Sequence, residues 1–533
     1  MKKITLLIAC FIFSYAMQAQ WSTNTAENTL LASGEAASQY SVSDAEGNIY
    51  TMFWVNVPAP KYYELRLQKI DAAGNKKFGD NGKLVSDNID MLSYITVSDF
   101  AIDSASNLYL SVTATNSRDG LVFIFDKDGN SLWDTNLNIG HAYKVETLPL
   151  TSGDILVASI NENSDSVLQK YTGKGDTVWT SPVTHNLHVV SYMFEMSDGS
   201  VMVIYSKRNN AGSDTSSVLY AQRYDANGTP LWNKMTQLFN SSYNDYYNIP
   251  HYGFQDGDQV YVSYKLAQGN SFQAYVQRIN PDGTLPWGIN GSDFSTQLSF
   301  YEKDVKLAFD SGADHFWAVA PFTTTNQQYV ATYVQKFDKN TGARLLGDQA
   351  KQIVPYSSPA ILAVGELQLY NGNPMLLIAS EYETNIALLD DKGDYAWPEE
   401  TKPLATFSAS KGSYSFLKIK DNEFVNIFIE AKENNKPQLF AQNYVAQTLS
   451  VDDVSTTNNI RFKNPIQNEL SIKSTNAIKN ITVFNMLGKQ VYSNSNLNTT
   501  LITIDSQHWN SGLYLVNLSQ TNGQTACIKI IKQ

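Results

Sequence analysis

Apolar and polar residues alternate in short runs along most of the chain, and turn residues such as Asp, Asn and Gly separate the runs. Alternation over about four to eight residues is typical of β-strands with one buried face. Seven runs continue into one pattern: Asp or a similar residue, a Gly, and a large apolar residue four positions after the Gly. The seven segments are Leu67–Phe78, Phe123–Trp133, Leu168–Trp179, Ala221–Trp232, Val276–Trp287, Val334–Leu346 and Ile386–Trp397. Their glycines lie 46 to 59 residues apart, and a period of this size indicates a repeat architecture.

Each unit also has an upstream half with a turn of its own. Asp44–Tyr50 reads Asp-Ala-Glu-Gly-Asn-Ile-Tyr, and related turns occur at Asp103–Tyr109, Ser197–Val201 and Asp256–Tyr261. Turn residues between two β-rich runs are typical of a hairpin. Each unit of about 50 residues therefore contains four short antiparallel strands, which make up one blade of a β-propeller. We predict an all-β fold.

An eighth unit, Leu439–Leu449, begins like the others but lacks the Gly and the aromatic residue. The segment Gln20–Thr25 resembles the outer-strand sequences that follow the other turns. We therefore expect residues 21–30 to lie antiparallel to 439–446 and to close a ring, because closure removes open sheet edges. This interpretation predicts an eight-bladed β-propeller over residues 20–449, with a seven-bladed one as the alternative.

Six of the nine tryptophans occupy one position of the unit, at the opening of the predicted outer strand. A large aromatic side chain repeated at one position buries much apolar area, so we interpret these residues as packing residues that dock one blade on the next. They are Trp21, Trp133, Trp179, Trp232, Trp287 and Trp397.

The repeats resemble known propeller families. Asp338–Gly342 is similar to the Asp-x-x-Thr-Gly part of the docking motif of quinoprotein-type propellers, and Phe78–Gly82 is similar to bacterial delta-60 repeats. The sialidase Asp-box also lies between the third and fourth strands of a blade, but its spacing is one residue tighter on each side. We therefore reject this match. These resemblances cover residues 21–449 and imply the fold, and a fold does not by itself identify a function.

The chain changes character after Tyr444. Residues 450–459 are polar and predict a linker, and residues 460–533 contain about seven short β-like runs, which predict a small C-terminal β-sandwich. Four motifs follow one another in this segment: an Asn-Pro opening, a Gly-Lys hairpin, a Gly-x-Tyr strand and a basic end. Their residues are Asn464, Pro465, Gly488, Lys489, Gly512, Tyr514, Lys529 and Lys532.

These motifs, in this order, closely resemble the type A C-terminal sorting domain of the type IX secretion system of Bacteroidota. The resemblance implies that the tail binds the type IX secretion machinery and directs export from the periplasm across the outer membrane. It also implies removal of the tail, with the protein then secreted or attached to the cell surface. A passive sandwich appendage is the alternative.

The N-terminus has the three parts of a secretory signal peptide. A basic start is followed by the apolar run Ile4–Ala16 and by a small residue, which predicts a signal peptide over residues 1–19 with cleavage between Ala19 and Gln20. The alternative is a lipoprotein box at Leu7–Cys10, with Cys10 as the lipid acceptor. No other segment is long and apolar enough to predict a transmembrane span.

The net charge of −12 is unevenly distributed. Residues 456–533 hold seven Lys or Arg and two acids, and the N-terminal segment holds Lys2 and Lys3, which leaves a charge of about −19 on the propeller segment. A body this acidic repels phosphate backbones, so we expect no nucleic-acid partner. The two cysteines are Cys10 and Cys527, so the cleaved chain has no internal disulfide and no thiolate zinc site.

The sequence contains no catalytic or phosphate-binding motif of the common kinds. His185 and His188 are spaced like metal ligands but lack a third partner, so they are interpreted as loop residues. Asp126–Asn130 resembles part of a calcium loop without its final Glu, and a hairpin turn is the preferred interpretation. A quinone cofactor is not supported by the propeller shape alone. We predict no catalytic, cofactor-binding or metal-binding residue.

Two classes of function remain. The preferred hypothesis is a propeller that serves as a scaffold or binding module for a glycan or protein ligand, because the 31 tyrosines suit polar and stacking contacts. The alternative is a secreted polysaccharide hydrolase or lyase whose carboxylates meet at the mouth of the propeller channel.

Overall fold

The structure is a computed structural model that describes residues 21–22, 24–91, 99–208, 217–240, 252–268, 271–357, 361–432, 435–446, 460–486 and 488–533. The chain divides into two compact units, with the boundary between Val445 and Ala446. Both units consist of β-strands and turns, and the described residues contain no α-helix. The predicted all-β fold is confirmed.

The described residues of the first unit form eight antiparallel sheets, and most strands of a sheet are consecutive in the chain. The chain enters through β1 (Thr29–Ala32). The first sheet then contains β2 (Ala36–Ser43), β3 (Ile49–Asn56), β4 (Tyr63–Ile70) and β5 (Lys83–Ser86). The second contains β6 (Asp99–Ile102), β7 (Leu108–Thr113), β8 (Asp119–Phe125) and β9 (Leu137–His141). The third contains β10 (Val145–Pro149), β11 (Ile155–Ile160), β12 (Ser166–Tyr171) and β13 (Val183–His185).

The later sheets follow the same plan. The fourth contains β14 (His188–Glu195), β15 (Val201–Arg208), β16 (Ser217–Tyr224) and β17 (Thr236–Gln237). The fifth contains β18 (Tyr252–Asp256), β19 (Gln259–Gln268), β20 (Ser271–Ile279) and β21 (Ser292–Asp293). The sixth contains β22 (Tyr301–Glu302), β23 (Lys306–Phe309), β24 (His315–Thr323), β25 (Val330–Asp338) and β26 (Lys351–Ser357). The seventh contains β27 (Ile361–Tyr370), β28 (Asn373–Ser380), β29 (Thr384–Leu388) and β30 (Lys402–Ala405). The eighth contains β31 (Lys411–Lys420), β32 (Glu423–Ala431) and β33 (Pro437–Val445), with β1 as its outer strand.

The sheets are arranged in a circle, face to face. The first strand of most sheets lies beside the first strand of the next, with β23 in this place in the sixth sheet, and β31 of the eighth sheet lies beside β2 of the first. Between the fourth and fifth sheets, the Tyr192 ring lies against Gly253, and Gln255 Nε2 donates to Glu195 O at 2.7 Å. Second strands such as β3 are buried on both faces, because a neighbouring sheet covers each face. This arrangement is β-propeller-like.

The N-terminal strand closes the circle. Thr29 pairs with Ala441, Leu30 with Phe440 and Ala32 with Leu439, in antiparallel register. The predicted pairing partner is confirmed, but the predicted bounds of the pairing segment, 21–30, are wrong because the strand starts only at Thr29.

The second unit is built around one long strand. Its strands are β34 (Ile460–Phe462), β35 (Glu469–Asn485), β36 (Gln490–Asn494), β37 (Thr499–Asp505), β38 (Gly512–Gln520) and β39 (Thr525–Lys532). The first half of β35 pairs with β34 and β37, and the second half pairs with β36 and β38. Apolar side chains from these strands, including Leu470, Ile481 and Val516, form one buried core. All six strands thereby belong to one hydrogen-bonded network.

Candidate functional site

The repeated tryptophans contact the turn of the next sheet. The Trp179 indole donates Nε1–H to Ala226 O at 2.9 Å, and its ring faces Gly228, where an added Cβ would approach within 3.2 Å. Trp21, Trp133, Trp232 and Trp287 donate in the same way to a backbone carbonyl of the following turn. Trp397 instead lies 6.1 Å from the ring of Tyr444, in the unit that lacks the glycine.

The tryptophans do not open the outer strands, as the sequence pattern suggested. Trp133, for example, lies four residues before β9, after an isolated bridge between Phe125 and Ser131. The indole has to reach the neighbouring turn, so the backbone leaves the strand ladder at this point and rejoins it later. Trp21 donates to Ala72 O in the turn of the first sheet, as the other tryptophans donate to the turn of the sheet that follows theirs. Trp21 therefore belongs to the closing sheet.

A repeated glutamine on the third strands was missed by the sequence analysis. Gln68 Nε2 donates to Leu31 O and Gly79 O at 2.7 and 2.8 Å, and Gln335 Nε2 donates to Gly347 O at 2.8 Å. The residue after it is basic and reaches the next sheet: Arg278 Nη1 donates to Lys339 O at 2.8 Å. The recurring Gln-Lys and Gln-Arg pairs were the available signal, and they serve packing between sheets.

The candidate site is a ring of polar side chains on the first strands. Each member pairs with a residue that lies three or four positions after the first residue of a second strand, so all eight have a similar height in the circle. We call this set the inner ring. It consists of Tyr40, Asp99, Glu146, Tyr192, Tyr252, Lys306, Glu366 and Ser415. All eight are half-buried.

Two members of the inner ring contact the first strand of the following sheet. Asp99 Oδ2 accepts a hydrogen bond from the Thr147 amide at 2.9 Å. Lys306 forms an ion pair with Glu366 of the following sheet. Glu146 forms an ion pair with Lys144 of its own sheet. The inner ring therefore contains ion-paired charges and tyrosine side chains, and it is not uniformly acidic.

Burial shifts the pKa values of several ring members. Burial raises the pKa of the Glu146 carboxyl to about 7, with Lys144 opposing the rise and Asp99 adding to it. The pKa of Asp99 is also raised by burial, against the hydrogen bonds from Thr147. Burial raises the pKa of Tyr192, and the charge of Glu146 raises it further. A carboxyl with a pKa near 7 can donate or accept a proton at neutral pH.

The inner ring was not identified from the sequence, although a signal existed. Each member stands four residues before the first residue of the hairpin turn, as Tyr40 does before Asp44 and Asp99 before Asp103. The positions two residues closer to the turn are apolar in seven of the eight strands: Val42, Ala101, Leu148, Phe194, Phe254, Ala308 and Leu417, with Gln368 as the exception. Counting from the turn would have aligned the polar positions.

The other candidate sites of the sequence analysis have structural partners within the protein. His185 Nε2 lies 2.6 Å from Tyr224 Oη and His188 Nδ1 lies 2.6 Å from Asn186 O, at strand ends rather than in a loop. Asp126 Oδ1 accepts the amides of Asp128 and Asn130, which makes the segment a hairpin turn. Among the described residues, no group of three or more His, Cys, Asp or Glu could hold a metal ion.

The motif residues of the tail lie near one another. Asn464 is 6% exposed, and its amide donates to Lys529 O and accepts from Ile531 N at 3.0 and 2.8 Å. Pro465 follows it, and Gly512 pairs with Lys532. Tyr514 pairs with Asn485, whose side chain accepts the Lys489 amide at 3.0 Å in the turn that contains Gly488. Motifs that are distant in the sequence thus share one end of the sheet.

Several predicted features fall on residues outside the described ranges. The signal peptide, its cleavage site at Ala19 and Gln20, Cys10 and the linker 450–459 all lie there. Cys527 is described and is an exposed free thiol. Across the described ranges, no helix is long and apolar enough to cross a membrane.

Comparison with protein families identifies the second unit. Residues 462–533 match the family described as the secretion system C-terminal sorting domain. The chain carries a sorting domain. The sorting domain indicates export by type IX secretion to a secreted or cell-surface location, and it implies an interaction with the type IX machinery. The predicted sorting domain and export are confirmed at this level.

Comparisons with solved structures give distant matches. The β-propeller domain of the Trilobed protease from Pyrococcus furiosus has 9% identity and a TM-score of 0.36, over 79% of this chain and 99% of that one. Polysaccharide lyase Uly1 has 8% identity and a TM-score of 0.40, over 78% and 99%. Puromycin hydrolase has 11% identity and a TM-score of 0.40 over 78% of this chain, which spans only 61% of the hydrolase. No curated protein matches significantly.

Proposed function

We propose that the protein is an exported binding module whose propeller engages a glycan or protein ligand through the inner ring. The observation that carries the export part is the sorting-domain match at residues 462–533. The binding part rests on the polar, half-buried ring at the centre of the circle of sheets. Binding sites of this kind occur at concave places where a few polar groups converge.

The finer features of the proposal follow from the sequence. The eight sheets are the blades of an eight-bladed propeller within residues 20–449, docked by the six tryptophans. The segment 460–533 is a small sandwich of the kind found in Bacteroidota sorting domains. A signal peptide over residues 1–19 directs the chain to the periplasm, with cleavage between Ala19 and Gln20. The eight motif residues of the tail, from Asn464 to Lys532, form the part that the machinery recognises.

Deletion of Asn464–Gln533 tests the export part. In a host with a type IX system, we expect the shortened protein to fold and to accumulate in the periplasm, because the sorting segment is separate from the propeller core. Immunoblots of periplasm, surface and medium measure this distribution. The control is Glu469→Gln, which changes a tail residue outside the motifs. Normal amounts of the deletion variant in the medium or at the surface would contradict the sorting assignment.

A second candidate function is a secreted polysaccharide hydrolase or lyase. The neighbouring carboxyls of Asp99 and Glu146 favour it, because a carboxyl with a pKa near 7 suits general acid catalysis. The test is release of reducing ends or unsaturated ends from polysaccharides by the full protein. Turnover that Glu146→Gln reduces at least about 100-fold supports the enzyme, since loss of a general acid typically costs about 10²–10⁴ in rate. Binding without turnover supports the module.

A further inference from the structure

The inner ring differs from every other repeated position of the propeller. Positions that pack sheets together repeat their residue types: glycines recur in seven turns and tryptophans at six positions. The ring position is polar in all eight strands but uses five residue types, namely Tyr, Asp, Glu, Lys and Ser. Packing in a repeat protein favours the same residue in each unit, because each unit meets the same environment. The variation therefore indicates that a requirement other than packing determines the residue type at the inner-ring position.

The charged side chains at the inner ring are partly exposed to solvent and are also held by ion pairs. The side chains of Lys144, Glu146, Lys306 and Glu366 retain 19%, 21%, 30% and 23% of their exposure. These four side chains are therefore accessible from solvent.

The chemistry of the ring suits a ligand rich in hydroxyl groups. Carboxylates accept hydrogen bonds from hydroxyls, the lysines donate to them, and the tyrosines offer both a ring face and a phenol. Two of the three carboxylates, Glu146 and Glu366, already form ion pairs with lysines. The inner ring therefore has little unpaired negative charge to attract a strongly cationic ligand. An anionic polymer is disfavoured by the charge of about −19 on the surrounding domain.

We infer that the inner ring binds an uncharged oligosaccharide, held by the tyrosines Tyr40, Tyr192 and Tyr252 and by the carboxylates Asp99, Glu146 and Glu366. The inference rests on the proposed function as a binding module and specifies its site and ligand class. The Tyr192 ring lies against Gly253, the residue that follows Tyr252 in the next sheet. Sugar rings carry apolar faces and hydroxyl edges, and this combination of groups matches both.

Titration calorimetry with the full secreted chain tests the inference. The probes are xylohexaose, mannohexaose, cellohexaose and laminarihexaose, with polygalacturonate as the anionic comparison. We expect at least one hexaose to bind and polygalacturonate not to bind. Glu146→Gln and Glu366→Gln should each weaken binding of that hexaose about tenfold or more, as loss of a hydrogen bond to a charged group does, and Tyr252→Phe should weaken it about fivefold, as loss of a neutral hydrogen bond does. The matched control Glu46→Gln lies in an exposed hairpin turn and should change binding less than twofold.

Several outcomes would overturn the inference, and they differ from a failure of the proposed function. If no hexaose binds, the ligand class is wrong, while export by the sorting domain is unaffected. If a hexaose binds and the ring variants bind it equally well, the protein is a binding module with its site elsewhere. If polygalacturonate binds and the ring variants abolish that binding, the ring is the site but takes an anionic ligand. Thermal melts of each variant separate a loss of binding from a loss of folding.

Discussion

One side chain in the sixth sheet is buried in a way that affects stability. Glu302 has no exposed area, and its Oε2 accepts the Ala274 amide at 2.8 Å. Burial, together with the nearby charge of Asp293, raises the pKa of Glu302 to about 9. Glu302 is therefore protonated at neutral pH in the folded protein, whereas an unfolded glutamate with a pKa near 4.5 is ionised.

This difference predicts that Glu302→Gln stabilises the protein at pH 8. A raised folded-state pKa means that the folded state binds more protons, so stability falls as the pH rises from about 4.5 to about 9. Glutamine has no such pH dependence. Since one pKa unit corresponds to about 1.4 kcal/mol and pH 8 lies roughly 3.5 units above the unfolded pKa, we expect a gain of up to about 5 kcal/mol in unfolding free energy at pH 8 and no gain at pH 4. Urea unfolding between pH 4 and 9 measures it, and parallel curves for both proteins would contradict the assignment.

At the scale of single elements, contact between a tryptophan and the following turn links neighbouring sheets. The turn at Gly228 has a positive φ of 83°, and the Trp179 ring covers it. Gly199 has a similar φ of 77° but no atom within 4 Å of an added Cβ. The two glycines thus share the backbone requirement and differ in the docking contact.

We therefore predict that Gly228→Ala destabilises the protein more than Gly199→Ala does. In both variants a residue with a side chain must adopt a left-handed backbone conformation, which costs about 1–2 kcal/mol. Gly228→Ala also displaces the Trp179 indole. The expected difference between them is about 1–2 kcal/mol, a typical cost of overpacking. Chemical denaturation of both variants measures it. Equal losses would show that the indole contact contributes little.

The closing sheet joins the two ends of the propeller segment through a buried ionic network. Glu430 pairs with Lys411 at 2.8 Å, with both side chains fully buried, and with Lys432 at 3.1 Å. Asn28, just before β1, donates to both Glu430 carboxylate oxygens at 3.0 and 2.9 Å. The N-terminal segment thus completes the hydrogen bonding of a buried charge as well as the edge of the sheet.

Deletion of residues 20–32 should lower the melting temperature sharply and promote aggregation. It removes the partner of β33 and exposes a sheet edge, and it takes the Asn28 donor from a buried carboxylate. Trp21→Ala, which leaves β1 in place, should cost about 2–4 kcal/mol, somewhat less than a fully buried Trp, and should not aggregate. Calorimetry and light scattering measure both effects. A deletion variant that melts like the full protein would contradict the role of β1 in closure.

At the scale of the whole molecule, charge is divided between the two units. The propeller segment carries about −19, whereas residues 456–533 carry five more positive than negative charges. We predict that the secreted protein shows no retention of duplex DNA in a gel shift at low salt, because repulsion from the acidic body outweighs the basic tail. Clear retention that disappears with added salt would contradict this prediction.

Much of this organisation could be derived from the sequence. The spacing of Gly74, Gly129 and the five later glycines indicates units of four strands, because alternation and turn chemistry act over a few residues. The missing outer strand of the last unit and the surplus segment at Trp21 were enough to predict which strands pair. The order of the tail motifs was enough to predict the sorting domain.

Only the tertiary structure decided which side chains meet. β1 starts at Thr29 instead of Trp21, because the indole first reaches the turn at Ala72 and the backbone pairs afterwards. The inner ring draws one residue from each of eight sheets, and successive members lie 46 to 60 residues apart along the chain. Local alternation determines which residues form a strand. Counting back from the hairpin turns aligns the eight ring positions, but the contacts between neighbouring sheets, such as the ion pair of Lys306 with Glu366, depend on how the sheets pack, which no local pattern determines.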